Sequence, residues 1–547
     1  MRHNIQTPLA MLKYAGLLTL ALLAACEVGP DYKRPPNETP AAYKESGDWQ
    51  LAEPQDDIDR AAWWSIYNDP ILDKLERQID ISNQNLKAAE AAFRLANATV
   101  DEANASLFPT LSLGAGSSTS NNGQSHAKAV TLYNLSGSAT WVPDLWGGIR
   151  RTVESDEANA QASAAQIASA RLSAQATLAT DYMNLRSQDE LKRLLNATVQ
   201  DDVRALQIVQ NQYDAGIAAK ADVLLARTEL ESVQAQAINV DVERTALEHA
   251  IAVLIGKPPS EFILAPAKYA QAVPNVPTGV PSTLLERRPD IANAERLVAS
   301  ANAQIGVETS AWFPNLTLSG SAGFSAVAIG KLLQLSSNMW SLGPTLAETI
   351  FDAGAREARV EEAEANYDET VATYRQTVLA AFQQVEDNLS ALRVLADEEK
   401  AERATVADAR QSVTLTLNQY KEGIVPYSSI LTAQITALGN EQNAIAVHVN
   451  RIDASILLIE ALGGGWDTAQ IQKTFDHPPA RPVTPEEPQP DPMPAAASDN
   501  IIPRYEAAPG MTPAPQPVAP AAPQTPMPTE NDPPVSQSNI APKSGSN

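Results

Sequence analysis

The chain has 547 residues, with 65 Asp and Glu against 40 Lys and Arg, a net charge of −25; this acidic balance argues against a nucleic-acid-binding protein, which shows a basic face. A single Cys excludes an intrachain disulfide and a Cys-rich metal site, and the five His (His3, His126, His249, His448, His477) are scattered with no HExxH pair. No GxxxxGKS/T phosphate loop and no GxSxG nucleophile elbow occurs, so no enzyme, cofactor or metal is expected.

Residues 1–25 read as a lipoprotein signal peptide. Arg2 and Lys13 supply the basic start, and Tyr14–Ala25 is apolar or small. Such a run is too short to span a bilayer as a helix, which needs about 20 residues. Leu23-Ala24-Ala25-Cys26 is a lipobox: the Cys26 thiol, the only one in the chain, receives the acyl chains and becomes the mature N-terminus. Glu27 at the next position is not the Asp associated with inner-membrane retention, so outer-membrane lipid is the expected anchor site. Each buried CH₂ of the acyl chains adds about 0.8 kcal/mol of membrane affinity.

The middle of the chain is written twice. Leu107-Phe108-Pro109-Thr110-Leu111 corresponds to Trp312-Phe313-Pro314-Asn315-Leu316, Gly148-Ile149-Arg150 to Gly354-Ala355-Arg356, Tyr213-Asp214-Ala215-Gly216 to Tyr420-Lys421-Glu422-Gly423, and Leu254-Ile255-Gly256 to Ala461-Leu462-Gly463. Four landmarks in one order at a nearly constant offset mean a duplicated domain; solenoid periods are far shorter, roughly 20–50 residues. Each copy opens with alternation of period two. Leu316, Leu318, Gly320, Ala322 and Phe324 alternate with Asn315, Thr317, Ser319, Ser321 and Gly323; Tyr133, Leu135, Gly137, Ala139 and Trp141 alternate with small or polar residues. This predicts two strands per copy, within about 107–147 and 312–353, with one apolar and one small or polar face, as in transmembrane β-barrels.

Long helices follow. Residues 151–212 and 355–422 contain neither Gly nor Pro, and at 1.5 Å per residue each run reaches roughly 90–100 Å. In the second run Val360, Ala363, Tyr367, Val371, Tyr374, Val378, Phe382, Val385, Leu389, Leu392 and Leu395 step by three or four, a coiled-coil seam. In the first, Ala dominates residues 151–180, so neighbouring helices can approach closely. Gly216 and Gly423 end these helices as turn formers, and second helices follow at about 219–255 and 427–462. Four strands cannot close a barrel, and open edges are not tolerated in lipid. The chain must therefore oligomerise, a dimer giving 8 strands and a trimer 12.

These features resemble the TolC-like outer-membrane efflux proteins of the lipoprotein NodT/OprM type. The resemblance covers about residues 26–465. It is carried by Cys26-Glu27-Val28-Gly29-Pro30-Asp31-Tyr32, Trp63-Trp64 with Asp69-Pro70, Arg287-Arg288-Pro289-Asp290, the doubled Phe-Pro and the doubled Tyr-x-x-Gly. It implies an α+β membrane protein: a homotrimer whose duplicated units form a 12-stranded outer-membrane β-barrel continuous with a long periplasmic helical barrel. It also implies two partners, a periplasmic adaptor and an inner-membrane pump. The domains are then 26–70 (anchor and N-terminal belt), 71–256 (first repeat), 257–285 (belt), 286–465 (second repeat) and 466–477 (belt). Residues 478–547 hold 20 of the 39 prolines and few large apolar residues, and are expected to be a disordered tail.

In that family acidic rings and tyrosines close the periplasmic end. Asp222 matches the tip aspartate of the first copy, whereas Ser429 and Thr432 stand where the second copy commonly has Asp. Tyr213 and Tyr420 complete the expected gate, and Gly216 and Gly423 lie where an adaptor would touch. Asp222 is alternatively a carboxylate favoured by a helix N-terminus. The expected function is the outer-membrane channel of a tripartite efflux system for small molecules; the alternatives are a channel for type I protein secretion and a non-transporting coiled-coil lipoprotein scaffold.

Overall fold

The structure is a computed structural model that describes residues 27–37, 39–40, 42–46, 62–121, 129–269, 272–274, 276 and 287–476. The signal peptide, Cys26, His126 in the first hairpin loop and the Pro-rich tail lie outside the described residues.

Helix α1 spans Pro70–Ser82 and α2 spans Gln84–Ala105. Both starts are fixed by side-chain caps. Asp69 accepts hydrogen bonds from the amides of Ile71 (2.8 Å) and Leu72 (3.1 Å), and Asn83 from that of Leu86 (2.9 Å). Strands β1 (Thr110–Ser120) and β2 (Val130–Trp141) come next, then α3 (Gly148–Asp214) and α4 (Lys220–Leu254). The second copy repeats the order with α5 (Pro289–Ser310), β3 (Asn315–Ala326), β4 (Asn338–Ala347), α6 (Ala355–Lys421) and α7 (Tyr427–Ala461); a short α8 (Ala469–Asp476) closes the described chain. The expected strand hairpins and long helices are present. Helices α3 and α6 have 67 residues each, which makes each about 100 Å long.

The strands form one antiparallel sheet in the order β1-β2-β3-β4. Pairing of β2 with β3 joins the two hairpins, with Leu135 opposite Phe324 and Ala139 opposite Gly320. Among the described residues the outer edges of β1 and β4 carry no strand partner.

The helices pack as their compositions require. Ala158, Ala160, Ala162, Ala164 and Ala165 of α3 are buried where α2 and α5 lie against it. Small side chains let backbones come close enough for Asn293 to donate to the carbonyl of Ala162 (2.7 Å) and for Ser155 and Ser300 to share a hydrogen bond of 2.9 Å. Along α6 every residue of the expected seam from Val360 to Leu395 is buried or half-buried. The main core lies where α3, α6 and α7 meet the segment Trp63–Tyr67; it contains Trp63, Trp64, Tyr67, Tyr182, Met183, Tyr374 and Ile456. Tyr182 donates to Asp69 (2.7 Å), and Tyr67 bonds Ser455 (2.7 Å), so the hydroxyls of these two buried tyrosines are satisfied.

Candidate functional site

The sheet is a two-sided wall. One face carries Leu111, Leu113, Leu135, Trp141, Leu316, Leu318, Phe324, Trp340, Leu342 and Leu346, as the cross-strand register dictates. Leu111, Leu113, Trp340 and Leu342 are more than three-quarters exposed. The other face is hydroxyl-lined, with Ser112 bonded to Ser138 (2.7 Å) and Ser321 to Ser341 (2.8 Å); a further pair, Thr119 with Thr131 (2.9 Å), lies at the loop end of the apolar face. No Asp, Glu, Lys, Arg or His occurs in any of the four strands. Strands of 10–12 residues match the length a tilted strand needs to cross a bilayer, about 9–11 residues. Aromatic side chains mark both ends of the apolar face, Trp141 towards the helices and Tyr133 and Trp340 towards the loops, the girdle pattern of a membrane barrel.

The passage from sheet to helix is built twice. Asp144 accepts from the amides of Ile149 and Arg150 (3.0 Å each) and pairs with the Arg150 guanidinium at 3.2 Å. Asp352 does the same for the second copy, with the Arg356 amide at 3.2 Å and its guanidinium at 2.8 Å. Each carboxylate thus caps the start of a 67-residue helix and holds its neighbouring Arg. The Arg356 guanidinium also lies 4.9 Å over the Trp312 ring. Trp146 stacks on Phe313 at 4.8 Å and donates to the Pro314 carbonyl (2.8 Å). The Trp-Phe-Pro motif is therefore the hinge piece between the two architectures.

Residues 27–32 are pinned at this junction. Val28 donates its amide to the Trp146 carbonyl at 3.1 Å. The nearly buried Arg151 reaches Glu154 (2.7 Å), Asp31 (3.1 Å) and Glu27 (3.4 Å) and donates to the carbonyls of Val28 (3.2 Å) and Gly29 (3.4 Å). Gly29 adopts φ +97° and sits so close that an added Cβ would lie 2.4 Å from the Gly306 Cα. Farther along, Tyr32 bonds Glu295, Arg34 donates to Tyr374 (3.1 Å), and the amides of Lys44 and Glu45 donate to Glu386 (2.7 and 2.9 Å). The N-terminal segment is a strap along the helices.

At the opposite end of the long helices lie the two tips. Gly216 (φ +74°) and Gly423 (φ +73°) each take the left-handed turn that ends α3 and α6, with open space around the position of a Cβ. Ile217 donates to the Gln212 carbonyl (2.8 Å) and Ile424 to that of Gln419 (2.9 Å), the closing bond of a Schellman turn. Asp222 is half-buried in the first turn of α4, and its carboxylate accepts from the Ala219 amide at 3.4 Å, half of a capping box. Tyr213 is exposed. Tyr420 instead turns inward: it donates to Gln212 of the first tip (2.5 Å) and meets Tyr427 edge-on at 5.9 Å. Tyr427 and Ile430 are buried against Val209, Val223 and Ala226. Thr432 is exposed and donates to its own helix at Ser428 (2.9 Å), while Ser429 is half-buried one turn into α7. Thus Tyr420 joins the two tips by a hydrogen bond, whereas among the described residues Tyr213, Ser429 and Thr432 form none between them.

One residue of the tip eluded the motif reading. Asp202 is buried between α3 and α4, and its Oδ2 lacks a hydrogen-bond partner. Burial, with Glu229 and Asp201 nearby, pushes its carboxyl up to about 6. Burial pushes Glu229 up as well, and burial plus these acids raises the Tyr427 hydroxyl to about 12. The signal was available in the seam Leu195, Val199, Asp202, Leu206, Val209, which steps by four and three with one charged member. Among the described residues no group of three or more His, Cys, Asp and Glu side chains gathers around a metal-sized space, and no helix is long and apolar enough to cross a membrane.

Comparison with known proteins follows this geometry. The chain matches the Outer membrane efflux protein family over residues 76–257 and 280–464. It is 30% identical over 419 residues to nodulation protein T of Rhizobium leguminosarum bv. trifolii, covering 76% of this chain and 89% of that one. It is 28% identical over 476 residues to the toluene efflux pump outer membrane protein TtgI of Pseudomonas putida, covering 83% and 98%. Among solved structures, the outer-membrane channel OprN superposes with a TM-score of 0.75 at 28% identity, covering 81% of this chain and all of that one. A duplicated sheet-and-helix unit matched in both halves leaves one assignment: this chain belongs to the outer membrane efflux protein family.

Proposed function

We infer that this protein is the outer-membrane channel of a tripartite efflux pump, a passive conduit for small molecules, with its helices extending into the periplasm. The observation that carries this reading is the sheet with one bare apolar face, one hydroxyl face and two unpaired edges, mounted on helices of 67 residues. An exposed edge in lipid leaves backbone groups unsatisfied at several kcal/mol each. Three copies remove the edges by pairing β4 of one with β1 of the next, giving 12 strands with the hydroxyl face inward. The exposed apolar residues Ile217, Leu224, Leu225 and Ile424 at the tips suit docking of the hairpins of a periplasmic adaptor, which would couple the tube to an inner-membrane pump. Asp222, Tyr213 and Tyr420 with Ser429 and Thr432 form the periplasmic constriction in this reading. Glu27 lies against Gly147, where β2 gives way to α3, so a lipid on the adjoining Cys26 would enter the membrane beside the barrel base. Relatives named as toluene and pyoverdine exporters support small organic molecules as the cargo class. The test is the mass of the purified protein in detergent together with conductance in a planar bilayer. A trimer with single-channel steps is expected; a monomer that never conducts overturns the reading.

A further inference from the structure

The seam of α3 near the tip is a row of apolar side chains at alternating steps of four and three: Leu195, Val199, Leu206 and Val209, with Asp202 in the middle. Leu195 packs with Val233 and Ala237 of α4. Val209 packs with Val223 and Ala226 of α4 and with Tyr427 and Ile430 of α7. A charge at such a position costs stability, and chains retain one where it sets register or serves as a switch. Asp202 is 4% exposed and its Oδ2 is unpartnered.

We propose that Asp202 and Glu229 are a protonatable latch: protonated, they let Tyr427 and the start of α7 seat on the first tip, and ionised, they push that seat apart. The groups facing Asp202 are Glu229 from α4, Tyr427 from α7, and Asp201 from its own helix. Asp201 is held outward by Arg204 at 2.5 Å. Tyr427 is faced in turn by Tyr420 and Asp222. No cation acts on Asp202 among the described residues, so ionisation there meets only negative neighbours and a buried aromatic ring. The sign follows from linkage. With its carboxyl raised from 3.8 to about 6 in the seated tip, Asp202 is neutral in both seated and hydrated states below about pH 4. The seated tip then loses ground as pH rises to 6, by up to about 100-fold in the seated-to-open ratio, and the loss stays constant above that.

The latch rests on these tips being the mobile end of the channel, so its readout is kept separate from conductance. Ile217 and Ile424, both exposed, are replaced by Cys and spin-labelled in the full-length protein in detergent; Cys26 is the only native cysteine. The 217–424 distance is measured between pH 4.5 and 7.5. The native background should shift from a short to a long distance with its midpoint between 5 and 6. Asp202→Asn should stay short throughout, and Glu229→Gln, which removes one of the acids that raise the Asp202 carboxyl, should shrink the loss of seating and leave a larger short-distance fraction at pH 7.5 than the native background. Asp202→Leu, which completes the apolar seam, should also stay short and melt later. A pH profile that persists in Asp202→Asn and Asp202→Leu overturns the latch, as does a distance in the native background that does not move. A silent bilayer recording with the distance profile intact would count against the channel reading and leave the latch standing.

Discussion

Arg151→Met tests whether the N-terminal strap is held by the clamp at the sheet–helix junction. Methionine matches the length of the stem but removes every donor. Asp31 is 90% exposed at its side chain, Glu154 40% and Glu27 35%, the last at a long 3.4 Å, so all three carboxylates can turn to water and their loss contributes little. What remains is the charged donor to the carbonyls of Val28 and Gly29. Hydrogen bonds to charged groups contribute about 1.5–3 kcal/mol each. With two long bonds sharing one guanidinium and water replacing part of them, the net loss is ~2 kcal/mol. That corresponds to about 30-fold faster opening of the strap, since about 1.4 kcal/mol is a factor of ten. Amide exchange followed by mass spectrometry reads this directly in peptides covering 27–34, with the core of α3 at 175–185 as internal reference. Gly29→Ala should release the same peptides, because its φ of +97° and the approach to Gly306 leave no room for a Cβ. A change below about threefold at 27–34, or an equal change at 175–185, would refute the clamp.

Three further outcomes are expected. Glu399 is buried, which raises a carboxyl, yet hydrogen bonds from Arg451, His448 and Arg403 outweigh burial and hold it at about 2; it therefore contributes stability in full above pH 4.5 that is lost as pH falls towards 2, about 3 kcal/mol by linkage. Melting temperature against pH should fall less steeply below pH 4.5 in Glu399→Gln, and parallel curves would dismiss this account. Asp222→Asn should lower cation selectivity, measured as reversal potential across a salt gradient, with little effect on folding; unchanged selectivity would make Asp222 a helix-start residue alone. Cys26→Ser should abolish incorporation of radioactive palmitate, and labelling that survives would refute lipidation at that thiol.

The parts of the fold that were legible in the sequence are those set by periodicity. Alternation at Leu316–Phe324 placed β3, and the three-four steps from Val360 to Leu395 placed the buried side of α6. Gly216 and Gly423 marked the ends of the long helices because only a residue free of a Cβ takes that turn cheaply. The contacts between distant segments were not legible. Asp144 and Asp352 sit in irregular stretches where no period exists, and their role as helix caps appears only when the amides of Arg150 and Arg356 are seen over them. The strap segments at 27–37 and 42–45 are held by partners more than a hundred positions away, among them Arg151, Glu295 and Glu386. Tyr213 and Tyr420 are equivalent in the repeat, yet one is exposed and the other reaches Gln212 across the tips. Duplication fixes the backbone turn but not which copy supplies the bridging side chain.

The absence of Asp, Glu, Lys, Arg and His from the four strands bears on how cargo leaves. In the closed barrel a migrating molecule would meet hydroxyls already bonded in pairs, such as Ser112 with Ser138 and Ser321 with Ser341. Such pairs offer weak dipoles and no fixed charge, so neither a cationic dye nor an anionic chelator would be held back or concentrated along the wall. The exit half of the conduit would then behave as a low-friction sleeve, indifferent to the sign of its load, and adsorption at the outlet would have no counter-ion to start from.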